Sequence, residues 1–390
     1  MTRRFAGGPA LISLFLAWLL LIPAPTMATA AQSVGTPAPP RFENSAVSAT
    51  ASAMATMAGG VSFSLTGRTP FPIRSASVRY HPVGQETVYA VPAALPVSAP
   101  DGSFSLSLVV DPRQDGLPPG LTLSHAWHLT LEDGTKWSSS VGRVDWIDDR
   151  FAWDVVRVDT VEVMIGAEDS SDRRDRIVAE VRRVLPEIER VIGSNATGPI
   201  RFWVYDAAAD LAGTQTANTE PWIAASSYPG LGVTLAVIPP EATIEIGRLI
   251  PHELAHHVLH HAATSPFSAP PLWFDEGLAG WFQTTGTDQF PALVRAAAAE
   301  GTLPGVAALA SSFPFAVSEA NLAYAACWSV MTYVIETWGE AAIPRLAASF
   351  AADRTDDQAM LVALGIDQRT LDIQWRVWLG ASGESSVASP

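Results

Sequence analysis

One cysteine, Cys327, is all the chain contains, so no disulfide can form within it. Without covalent staples, stability has to come from burial, and 390 residues at 48% hydrophobic composition are enough for two cores. Basic residues are scarce: 24 Lys and Arg stand against 39 Asp and Glu, a formal net charge of -15. Nucleic acid and anionic membrane surfaces both demand a basic face, so neither is expected as a partner. No internal repeat is visible. Long apolar runs are also lacking. Ala10 to Ile22, broken only by Ser13, falls short of the about 20 residues a membrane span needs. Arg3 and Arg4 precede it and the small-x-small triplet Ala28-Thr29-Ala30 follows, so residues 1–30 read as a secretory signal. No stable membrane span is expected after its cleavage, and no cysteine follows it to take a lipid anchor. A secreted or cell-envelope location is the expectation.

What the chain does have is a dense histidine stretch, Ile250-Pro251-His252-Glu253-Leu254-Ala255-His256-His257-Val258-Leu259-His260-His261. Its apolar residues recur at helical spacing. On a helix, His252 and His256 stand one above the other and can offer two imidazole nitrogens to one metal ion, with Glu253 beside them as a general base. A third ligand is needed. His260 lies on the same stripe, but eight residues of helix advance about 12 Å, too far for one ion held at about 2.1 Å to reach His252, His256 and His260 together. The other candidate is Glu276, in Trp273-Phe274-Asp275-Glu276-Gly277-Leu278-Ala279-Gly280-Trp281-Phe282, which reads as a second helix opened by Pro271. The Ser-, Pro- and Ala-rich segment between the two can turn the chain back, so Glu276 is preferred. Gly277 and Gly280 offer a place where two helices can approach closely.

His252-Glu253-Leu254-Ala255-His256 followed by Glu276-Gly277-Leu278-Ala279 resembles the gluzincin metallopeptidases, and more narrowly the peptidase MA-like family. The resemblance spans about Val158 to Leu379. It implies one Zn2+ held by His252, His256 and Glu276, with Glu253 activating water for attack on a peptide bond. It also implies that Tyr324, in Ala323-Tyr324-Ala325-Ala326, can stabilise an oxyanion; a core tyrosine on an apolar stripe is the competing reading. In gluzincins the strand before the metal helix lines the cleft, so Gly230 to Ile238 could pair with an extended peptide, unless it is an ordinary interior strand. Aminopeptidases of this group carry a carboxylate on that strand for the substrate's free amine. Gly230-Leu231-Gly232-Val233-Thr234 has none, which favours an endopeptidase.

The remainder of the chain frames this site. Residues 31–58, rich in Ala, Ser, Thr and Pro, read as a flexible linker. From 59 to 156, alternation such as Val61-Ser62-Phe63-Ser64-Leu65 and Phe104-Ser105-Leu106-Ser107-Leu108 predicts an antiparallel β-sandwich-like domain. His81, His125 and His128 lack ligand spacing and read as sheet residues. By analogy of fold, this domain could bind a cell-surface or cell-wall target. Residues 157–380 predict a mainly helical, thermolysin-like catalytic domain with a small sheet, giving an α+β chain. Expected elements are a strand at Val158–Ile165, a helix at Ser171–Ile192, strands at Pro199–Asp206 and Leu231–Ile238, an irregular stretch from Ala207 to Tyr228, and helices at Asn321–Thr337 and Leu371–Leu379. Residues 381–390 read as a disordered tail. Cys327 sits on an apolar helix face and reads as core. His257, His260 and His261 read as favourable charges near a helix C-terminus rather than partners of the ligands, and no carboxylate follows Glu276 at one turn to support a ligand histidine.

The expected function is a secreted zinc metallopeptidase with a peptide or protein substrate. Competing readings are a non-catalytic binding protein with a structural metal, and a metal-dependent hydrolase of a non-peptide bond.

Overall fold

The computed structural model describes residues 47–96, 99–214, 224–265, 269–311 and 316–380. The expected signal, most of the expected linker and the expected tail lie outside them. The described chain divides into two compact units, one of residues 47–153 with 212–214, the other of 154–211 with 224–380.

The first unit contains eight strands: β1 (Ser48–Thr56), β2 (Gly60–Arg68), β3 (Ile73–Pro82), β4 (Tyr89–Pro92), β5 (Ser103–Val110), β6 (Leu121–Leu131), β7 (Lys136–Ser138) and β8 (Gly142–Trp146). One antiparallel sheet runs β1-β2-β5; in the other, β4-β3-β6, strand β6 also pairs with β7 and β8 at its two ends. Alternation buries Phe63 and Leu65 of β2 against Val78 and Tyr80 of β3 and Leu123, Trp127 and Leu129 of β6. The Phe63 ring lies 5.8 Å from Tyr80 and 5.0 Å from His125 across the two sheets, so the unit is a sandwich. His125 and His128 are sheet residues: burial holds the pKa of each down, and His128 meets Ser138 Oγ at 2.8 Å.

Strand β1 corrects the sequence reading. Residues 48–56 were expected to be linker, yet Ser48 to Thr56 pair in full antiparallel register with Arg68 to Gly60. Apart from the exposed Met54 the segment's side chains are small, so its period of two carries almost no hydrophobic contrast. The ladder to β2 holds it, through a turn at Gly60, whose φ of 71° and closeness to the Val110 carbonyl exclude a side chain.

The second unit opens with β9 (Trp153–Val158) and β10 (Val161–Gly166), followed by α1 (Ser171–Ile192), β11 (Ile200–Tyr205), the short α2 (Ala208–Ala212), β12 (Ala225–Tyr228) and β13 (Val233–Val237). Its sheet runs β12-β13-β11-β10-β9, with β10, β11 and β13 parallel and β12 antiparallel at the edge. Helices follow: α3 (Ile244–Ala263), α4 (Leu272–Phe282), α5 (Phe290–Glu300), α6 (Val317–Trp338), α7 (Ala342–Phe350), α8 (Asp356–Leu364) and α9 (Gln368–Trp378). Helix α1 occupies the predicted residues. Ser170 caps its start by accepting from the Arg173 amide, Gly193 closes it, and Ile177, Val181, Leu185 and Ile188 bury one face.

Two differences matter for the site. The stretch expected to be irregular contains α2 and the edge strand β12. Strand β13 therefore lies inside the sheet, buried at every position, and cannot add a peptide strand at its side. Helix α3 packs against α1, α4 and α7, and every residue from Arg248 to Leu259 is buried. The close helix approach predicted at Gly277 is made to α6: a Cβ there would stand 2.5 Å from the Cys327 carbonyl oxygen.

Candidate metal centre

Helix α3 stacks His252 and His256 one turn apart, their rings 4.8 Å between centroids and nearly perpendicular. Helix α4 delivers Glu276 to the same place. The three facing atoms make a small triangle. His252 Nε2 is 3.2 Å from His256 Nε2 and 3.3 Å from Glu276 Oε2, and His256 Nε2 is 3.7 Å from the same oxygen. Ligands placed tetrahedrally about 2.1 Å from a zinc ion are about 3.4 Å apart, so the triangle has the size such an ion requires. Glu276 Oε2 is buried and has no hydrogen-bond partner among the described residues. Three lone pairs converging in a dry interior are costly unless a cation sits among them. The residues therefore fit a metal. His260 is not part of this triangle.

Supporting groups hold the two histidines. Asp275, buried beside Glu276, accepts from His256 Nδ1 at 2.7 Å and from His260 Nε2 at 2.8 Å. A carboxylate behind a ligand histidine holds the ring's tautomer and raises its basicity. Gln283, which closes α4, brings its amide within 2.9 Å of His252 Nδ1, and its Oε1 is buried without a partner. With Nε2 turned to a metal, His252 carries its proton on Nδ1, and a half-turn of the Gln283 amide lets Oε1 accept it. Glu253 stands next to His252, wholly buried; its Oε2 accepts from Ser227 Oγ at 2.6 Å, while Oε1 has no partner among the described residues.

The electrostatics follow from burial and these pairs. Burial and then repulsion from His256 hold His252 down to about 3. Burial works against charge on His256 too, but the Asp275 and Glu276 carboxylates outweigh it and push its pKa up to about 10. Burial would raise Asp275, yet His260 and His256 hold it well below the usual carboxylate range. Burial, aided by Asp275 and opposed by His256, pushes Glu276 up to about 7. Burial, with His256 and His260 nearby, holds His257 at about 3, a neutral imidazole at ordinary pH.

The structure thus brings His252, His256 and Glu276 together and sets Glu253 beside them. Tyr324 is buried on α6, three residues before the carbonyl that faces Gly277. Cys327 is fully buried, and burial raises its thiol far above the ordinary range, as suits a core residue. Sequence reasoning missed Asp275 and Gln283. It sought a supporting acid one turn after Glu276, whereas the acid immediately precedes it. His257 and His260, which the sequence reads as helix-end charges, are both hydrogen-bonded inside the site.

Among protein-family models, that of the peptidase MA superfamily matches residues 182–381, just over half of the chain, from within α1 to past the end of α9. No curated protein matches. Among solved structures, a β-1,3-glucan-binding carbohydrate-binding module of family 56 is 11% identical, covering 25% of this chain and 98% of its own, at a TM-score of 0.16. A polysaccharide deacetylase from Bacillus cereus is 8% identical, covering 55% of this chain and 66% of its own, at a TM-score of 0.21. Likenesses this slight support no conclusion about fold or function.

Proposed function

The chain belongs to the peptidase MA superfamily, and from that premise we propose that it is a zinc-dependent metallopeptidase of the gluzincin type, with endopeptidase activity. The observation that carries this reading is the triangle of His252, His256 and Glu276 beside a base with one free oxygen. When bound, zinc makes a water acidic enough to ionise near neutral pH and polarises the carbonyl it attacks. His252, His256 and Glu276 would hold the ion, with His252 Nε2, His256 Nε2 and Glu276 Oε2 as the facing atoms. Asp275 and Gln283 keep the two rings facing inward. Glu253 takes the water's proton on Oε1 and hands it to the leaving amine nitrogen. Tyr324 donates its hydroxyl to the developing oxyanion.

The absence of a carboxylate on Gly230-Leu231-Gly232-Val233-Thr234 favours internal bonds over chain ends. The substrate is a peptide or protein outside the cytoplasm. Export by residues 1–30 fits a chain whose described helices include none long and apolar enough to cross a membrane. The β-sandwich unit is the proposed contact to a cell-surface or cell-wall target.

The test is metal analysis of the purified protein with a chelator-sensitive peptide-library assay. Zinc near one equivalent and internal cleavage that collapses to a small residual rate in Glu253→Gln, with metal retained, is the expected outcome. Comparable turnover by Glu253→Gln rejects the role of Glu253, and metal-loaded protein that cleaves nothing rejects the peptidase.

A further inference from the structure

Glu253 is tied to the sheet by side chains from three elements. Ser227 Oγ on β12 lies 2.6 Å from Glu253 Oε2 and 2.7 Å from Thr234 Oγ1 on β13. Thr234 Oγ1 lies 2.7 Å from His257 Nε2, one turn after Glu253 on α3. All four residues are buried.

The directions of these bonds are forced. A carboxylate only accepts, so Ser227 must spend its single proton on Glu253 Oε2. The Ser227 oxygen can then only accept from Thr234, and Thr234, its proton used, can only accept from His257. His257 must therefore carry a proton on Nε2. The chain reads His257 Nε2–H to Thr234 to Ser227 to Glu253, with every donor used once. Protonating Oε1 leaves all of it intact, because Oε2 still accepts from Ser227. Protonating Oε2 would require each hydroxyl to turn round and the His257 proton to move to Nδ1.

We propose that Ser227, Thr234 and His257 are positioning residues that close Glu253 Oε2 and reserve Oε1 for proton transfer. This rests on Glu253 being the base of the proposed peptidase. A carboxylate released from Ser227 is free to rotate about its terminal bonds, and small misplacement of a reacting group can cost 10²-fold in rate. The chain acts on the reaction through Glu253 alone, so its loss should appear in kcat and not in metal binding.

The experiment combines kinetics with 15N NMR of histidine in the metal-free protein. Ser227→Ala is expected to lower kcat about 10- to 100-fold, leaving zinc content unchanged and KM within about threefold. Thr234→Val, which deletes the hydroxyl at nearly constant shape, should lower kcat by less, and Thr234→Ser should restore it. In the Glu253→Gln background, Ser227→Ala should cost under about threefold, because the group it positions is already gone. The His257 ring should carry a proton on Nε2. A neutral Nδ1–H tautomer, Ser227→Ala with kcat within about twofold of wild type, or equal losses with and without Glu253 each overturn the inference. A wild-type protein that binds zinc and cleaves nothing overturns the peptidase reading and this one with it. An active wild type failing any of those three criteria overturns only the positioning chain.

Discussion

Replacing Gly277 by alanine tests whether packing against α6 sets the metal site. The new Cβ would stand 2.5 Å from the Cys327 carbonyl oxygen, 3.0 Å from its carbon and 3.2 Å from Met331 Cβ. Ordinary contact begins near 3.4 Å, so α4 and α6 must part locally by about 0.9 Å. A backbone carbonyl inside a helix cannot rotate away as a long side chain can. The cost of overpacking should therefore reach the upper end of its usual range, about 3 kcal/mol. Alanine returns about 1 kcal/mol of helix propensity, leaving a net loss of about 2 kcal/mol. For a domain of this size that lowers Tm by about 4–8 °C. Glu276 is the preceding residue, and a shift of even half that gap is large beside a bond of about 2.1 Å, so zinc affinity should fall at least about tenfold. Gly280→Ala is the control. Its Cβ would meet Trp328 no closer than 3.6 Å, ordinary contact, so that variant should be neutral or slightly more stable. Thermal unfolding with and without chelator, and competition with a chromophoric chelator, read both effects. A Gly277→Ala protein that melts within 2 °C of wild type, or a Gly280→Ala protein that falls as far (about 4–8 °C), refutes the reasoning.

Asp275→Asn removes the charge behind His256 while nearly preserving shape, and should weaken zinc binding about 10- to 100-fold in equilibrium competition; unchanged affinity would show the carboxylate to be incidental. Zinc must displace the proton that His256 holds up to about 10. Affinity should therefore rise about tenfold per unit between pH 7 and 10, and more steeply below 7, where Glu276, raised to about 7, is protonated too. A profile flat over that range sinks the assignment. The metal-free fold should behave oppositely: a histidine raised above its unfolded value stabilises fully below about 6.5 and loses that contribution as pH climbs through about 10. Chelator-treated protein should melt lower across that window while zinc-loaded protein holds. Zinc at 100 times its Kd should add about 2.7 kcal/mol to stability, visible as a Tm drop on stripping.

The helices that carry the ligands were legible because their information is local. His252 and His256 are one turn apart, the apolar spacing of α3 and α4 is strong, and Pro271 marks the start of α4. Strand β1 was not legible, since a run of Ala, Ser and Thr looks the same as strand or linker until β2 lies beside it. Asp275 was hidden by a rule of spacing: the supporting acid was expected one turn from Glu276, and it is the residue just before it. Ser227 and Thr234 were beyond reach for another reason. Ser227 is 26 residues from Glu253 in sequence, and only the antiparallel edge strand brings them together. Cys327, His125 and His128 were read from what they lack, and their surroundings agree.

The burial of α3 on all sides has a bearing on how such an enzyme can diversify. From Arg248 to Leu259 no position faces solvent, so nearly every substitution there disturbs a core before it alters a catalytic preference. New appetites would have to be acquired away from the helix, where a changed side chain meets solvent rather than the core.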